Sequence, residues 1–155
     1  MRLLDGDDRA LLELEPEEAE LLSLLFDELT ALLDDADAED AAVQRLNPAA
    51  YRDDPDAEAE FRELTADGLR TERTERMDAC RADLHDRAPI DLAEPETARR
   101  WLQVINDLRL ALGTRLGVTQ DDYPDVDPDD PSSQPWLVYG WLTALQDAVL
   151  QTLLP

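Results

Sequence analysis

Four prolines constrain the plan of this chain more tightly than any other feature. Pro16, Pro55, Pro95 and Pro135 each open a long stretch with apolar residues at three- and four-residue spacing, and proline suits the first turn of a helix but not its interior. Each reads as a helix start. The neighbouring acids agree, because Glu17 and Glu18, Asp54 and Asp56, and Glu94 and Glu96 put negative charge where a helix dipole is positive.

The first of these helices carries Leu21, Leu22, Leu25, Leu29, Leu32 and Leu33 on its inner side. The second runs from Pro55 toward Arg87 with the stripe Phe61, Leu64, Leu69, Met77, Cys80 and Leu84, thin where "RTERTER" intervenes, and Gly68 is a candidate bend. The third ends near Gly117, placed as a C′ glycine. The fourth, "WLVYGWLTALQDAVLQTLL", is apolar nearly all round, which suits either a central helix or an interface. A short helix is expected around Asp40–Leu46. Asp5-Gly6 between two leucine runs predicts a β-hairpin over residues 1–14, and the proline- and aspartate-rich stretch 119–134 predicts a loop.

These elements define a mainly α fold: a compact bundle of four or five helices with a small N-terminal β-hairpin, expected as a single helical domain over residues 1–155. A chain of 155 residues can bury about two-thirds of its unfolded surface. With only 5% aromatic residues, its core must be built mainly from leucine and alanine, which favour helices.

Charge excludes more than it selects. The 38 acidic residues against 14 basic ones, all arginine, give a net charge of −24, which repels phosphates and anionic lipid and argues against direct nucleic-acid or membrane binding. No basic leader with an apolar run, and no span-length apolar stretch, is present in the sequence, so a cytoplasmic location is expected. One cysteine, Cys80, and one histidine, His85, do not supply a zinc site or a catalytic triad. With so many acids, carboxylate pairs carry no information about catalysis. The Asp121–Asp130 cluster lacks the glycine and terminal glutamate of a calcium loop, and no cofactor is expected.

The third helix contains the sequence's most informative anomaly. At about 100° per residue, Trp101, Ile105, Leu108, Leu112 and Leu116 form an apolar arc that Leu102 widens. Arg109 falls inside it, and Asn106 and Gly113 lie on its edge. A guanidinium there needs partners, so an acid from another helix is expected beside Arg109, while Gly113 would admit a second backbone. Two readings stay open: a buried polar network that links helices, or a polar recess for a ligand.

Residues 97–118 also hold Arg99, Arg100, Arg109 and Arg115 against Asp107 alone, the one basic island of the chain. Arg99 and Arg100, with Trp136, Tyr139 and Leu150 of the last helix, are the candidate interface. Cys80 lies on an apolar stripe, where burial as a small hydrophobe competes with a role as a redox thiol favoured by nearby arginines.

The segments "WLQVINDLRLALGTRLGV", "NPAAYRDDPDAEAEFRELTADGLR" and "VYGWLTALQDAVL" resemble an actinobacterial family of largely uncharacterised proteins that includes the oxidative stress transcriptional regulator AosR. The likeness spans nearly the whole chain. It implies a mainly α cytoplasmic protein that regulates transcription through a sigma factor or RNA polymerase rather than by reading DNA, and it carries over no catalytic residues. Redox sensing by that regulator is associated with a nearby pair of cysteines, whereas "MDACRADL" offers Cys80 alone. A thiol switch here would therefore be intermolecular, between two subunits, or absent.

The expected function is a non-enzymatic regulatory or adaptor protein acting by protein–protein contact, with homodimerisation open. The alternatives are a self-associating structural protein and an enzyme that uses an Asn106/Arg109 recess.

Overall fold

The computed structural model describes residues 1–6, 9–35, 40–47, 49–86, 88–118 and 125–155, the side chains of Asp5 and Asp35 apart. Among them the elements run β1 (Arg2–Gly6), β2 (Arg9–Glu13), α1 (Pro16–Asp35), α2 (Ala41–Leu46), α3 (Pro55–His85), β3 (Ile90–Asp91), α4 (Pro95–Leu116) and α5 (Gln134–Leu153). A 3-10 turn at Pro131–Ser133 leads into α5. The mainly α fold with five helices and a small sheet is the one expected.

The four prolines stand where their chemistry puts them. Pro55, Pro95 and Pro135 occupy the first turns of α3, α4 and α5, and Pro16 is the first residue of α1. Asp54 caps α3 by accepting the Ala57 N–H at 3.1 Å, and Asp40 caps α2 by accepting the Ala42 N–H at 2.8 Å. Gly117 ends α4 with φ of 70°, a left-handed conformation that glycine adopts without strain.

β1 and β2 pair antiparallel with Leu3 opposite Leu12, but Asp5 and Gly6 are themselves paired residues of β1, opposite Ala10 and Arg9. The strand thus extends through the pair that the sequence suggested as its turn. β3 adds a third, two-residue strand through Leu11–Asp91 and Leu12–Ile90, too short for a periodic signal.

α4 is the central helix, packed against α1, α2, α3 and α5. Its Ala98, Trp101, Val104, Ile105, Leu108 and Ala111 are buried and meet Leu22, Phe26, Leu29 and Leu32 of α1, Met77 and Cys80 of α3, and Leu142, Leu145 and Val149 of α5 in one core. Leu112 and Leu116 are only half-buried. The buried face is therefore rotated from the expected arc toward Val104 and Ala111.

α3 is an unbroken helix through Gly68, yet its buried residues are Met77 and Cys80 alone. The stripe read from the sequence holds for the second half only, because Phe61, Leu64 and Leu69 are 37%, 77% and 39% exposed. Helical spacing sets which residues share a face; it does not guarantee that the fold covers the whole face.

Candidate functional site

The polar residues of α4 meet α5. Asn106, Arg109 and Gly113 project from one side of α4, and Tyr139, Thr143 and Gln146 from the facing side of α5, at matching three- and four-residue intervals. Arg109 Nε donates to Thr143 Oγ1 at 3.1 Å and Nη2 to Tyr139 Oη at 3.3 Å, while Nη1 donates to Gln146 Oε1. Gln146 Nε2 in turn donates to Asn106 Oδ1 at 3.3 Å. The guanidinium also lies over the Tyr139 ring, 5.2 Å from its centroid, a cation–π arrangement.

Among the described residues, the acid expected beside Arg109 is not what meets it. Its hydrogen-bond acceptors among the described residues are a hydroxyl, a phenol and an amide, all neutral. The guanidinium is half-buried, so donors not held by these three groups can reach solvent. The arrangement has the geometry of a cross-link between two helices, and the site that the sequence left open as a recess is filled by α5's own side chains.

Gly113 makes this closeness feasible. A Cβ there would lie 3.1 Å from Tyr139 Cε2, so the absent side chain is the space that the tyrosine ring occupies. Gly113→Val is expected to lower stability by about 1–3 kcal/mol through overpacking, measured by urea unfolding. Gly113→Ala should be close to neutral, since the helix propensity gained is of order 1 kcal/mol. A valine variant as stable as the parent would show that α4 and α5 do not pack this closely.

A second polar cluster seals Cys80. Asp83 Oδ2 accepts from Arg100 Nη2 at 2.8 Å and from Trp101 Nε1 at 2.9 Å, which joins α3 to α4 beside the thiol. Cys80 is wholly buried. Burial pushes its thiol up to about 12, with Arg100 and Arg76 pulling the other way less strongly. The thiolate is the reactive form, so the native protein is expected to resist iodoacetamide at neutral pH and to be alkylated only as fast as it opens. Rapid native alkylation, followed by mass, would contradict this burial.

A third cluster was missed by sequence reasoning altogether. Asp107 is buried on α4, and Arg73 Nε of α3 lies 3.5 Å from its Oδ2. Arg73 also donates to Leu46 O and Asn47 Oδ1, both at 2.6 Å, and so caps the end of α2. Burial raises the Asp107 carboxyl above its ordinary 3.8, against the pull of Arg73 and Arg76. No local signal marked it: on the helical wheel Asp107 lies outside the expected apolar arc, and it is buried because the covered face is rotated toward Val104 and Ala111.

The candidate interface residues are dispersed. Arg99 is exposed, Arg100 is half-buried in its pair with Asp83, Trp136 is half-buried, Tyr139 belongs to the Arg109 network and Leu150 is 38% exposed. Of the Asp-rich loop, Asp121 and Asp122 lie outside the described residues. Among those described, no group of three or more His, Cys, Asp or Glu is placed to hold a metal ion, and no helix is long and apolar enough to cross a membrane.

Residues 2–153 match the domain of unknown function DUF2017, and the chain belongs to that family. It is 30% identical over 176 aligned positions to the protein named Oxidative stress regulator AosR in Mycobacterium bovis, with 91% of this chain and 80% of that protein covered. The same figures hold for the protein of that name in Mycobacterium tuberculosis. No solved structure matches the chain significantly.

Proposed function

We propose that this chain is a non-enzymatic regulatory protein that acts by protein–protein contact in transcription or the oxidative stress response. The observation that carries the reading is its likeness, over 91% of its length, to proteins named as oxidative stress regulators. The chemistry of the chain supports it, because the polar groups that an enzyme would turn toward a substrate are spent on holding α4 to α5. A sigma factor or RNA polymerase is the partner in this reading, with contact by protein surface and not through DNA, as the charge of −24 favours.

The contact surface is one end of the α4–α5 pair. Asn106 faces Gln146, Arg109 faces Thr143 and Gly113 lies against Tyr139, so the two helices run antiparallel. Arg99 near the start of α4 and Leu150 near the end of α5 therefore lie toward the same end, and both are exposed. An exposed cation and an exposed leucine toward one end of a helix pair are groups that partner surfaces use.

The test is affinity co-purification from the source cells, with and without peroxide, with mass spectrometry of what remains bound at moderate salt. Recovery of a sigma factor or polymerase subunits, lost in an Arg99→Glu/Leu150→Glu variant, is the expected result. With the thiol sealed, Cys80→Ser should leave any peroxide response intact. Recovery of the protein alone would remove this reading and leave self-association in its place.

A further inference from the structure

We propose that the recess between α2 and the first half of α3 is a binding site for a small anionic amphiphile, an apolar chain that ends in a carboxylate or similar head. This inference is separate from the partner surface on α4 and α5. The recess has a volume of about 380 Å³, within the range of roughly 300–1,000 Å³ typical of small-ligand sites. A protein helix, about 10–12 Å across with its side chains, needs a longer trough.

The walls select an apolar tail. Leu33 of α1, Val43 and Leu46 of α2, and Phe61, Ala66 and Leu69 of α3 line the recess. Phe61 and Leu69 remain 37% and 39% exposed, on the half of α3 that buries no residue. This apolar surface is left incomplete by the chain's own folding, and an inserted chain would cover it.

The rim selects the sign of the head. Among the described residues that line it, Arg62, Arg70 and Arg73 stand against Glu58, a local excess of positive charge in a chain of −24. Two of these arginines are occupied: Arg73 caps α2 and faces Asp107, and Arg62 pairs with Glu58 at 2.8 Å. Arg70 is different. It is exposed and donates one N–H to Leu33 O at 2.9 Å, and a guanidinium has five donors.

Isothermal titration calorimetry with dodecanoate, kept below its micellar range, tests the proposal on the full chain. Saturable one-to-one binding is expected. Arg70→Glu, which reverses the head contact, and Ala66→Trp, which fills the recess from an exposed position, should each weaken it about tenfold or more, with helix content retained by circular dichroism. Absence of saturable binding, or an unchanged affinity in either variant, would overturn the proposal. So would dodecanol competing as well as dodecanoate, since the arginines would then not be reading the head.

Discussion

Trp101→Ala is expected to lower the unfolding free energy by about 3–5 kcal/mol, the range for removing a buried aromatic side chain. The ring, in the second turn of α4, is fully buried and lies 6.2 Å from the Phe26 ring of α1, tilted by 47°. Its removal opens a cavity at the point where α1, α3 and α4 meet. The indole N–H is a second contribution, because it shares Asp83 Oδ2 with Arg100 and leaves that pair less well held when lost. Trp101→Phe separates the two effects: it keeps most of the volume and loses the donor, so it should cost about 1–2 kcal/mol. Urea unfolding followed by circular dichroism measures both. A Trp101→Ala protein within about 1 kcal/mol of the parent would mean that the core is not organised around this ring.

What the sequence revealed and what it concealed divide along physical lines. Helix starts were legible because proline and the acidic first turn act locally, and all four long helices begin at or beside the residues that announce them. Trp101, Ile105 and Leu108 were legible as core because period and hydrophobicity agree there. Phe26 escaped the leucine stripe of α1, although it is among the most buried side chains of the molecule. Phe61 and Leu64 carry the same periodic signal as Met77 and Cys80 and stay exposed, because coverage depends on which helix lies opposite. Arg109 was legible as anomalous, and so was the need for partners. Their identity was not, since hydroxyl, phenol and amide groups on α5 look ordinary until the antiparallel register sets them beside α4. Asp107 and Arg73 are far apart in sequence, and nothing local to either marks the pair.

That pair gives the second large effect. Arg73→Met is expected to cost about 3–5 kcal/mol, because it leaves Asp107 buried without its nearest counter-charge and removes the donors that hold Leu46 O and Asn47 Oδ1 at the end of α2. The double variant Arg73→Met/Asp107→Leu should recover part of that loss, since an apolar pair needs no charge compensation; the α2 cap remains missing, so recovery should be incomplete. The pH dependence has a definite sign. Burial raises the folded-state pKa of Asp107 above its ordinary 3.8, so on acidification the folded chain takes up this proton before the unfolded chain does. Relative to Asp107→Asn, which cannot titrate, the parent should therefore gain stability as pH falls through the raised pKa toward the ordinary value and gain no more below it. In Arg73→Met the carboxyl loses a cation and its pKa rises further, so the same gain should begin at higher pH. Urea midpoints of the parent and the two single variants, taken from neutral to about pH 4, measure the window. A parent that instead loses stability relative to Asp107→Asn on acidification would show that Arg73 and Arg76 outweigh burial at this carboxylate.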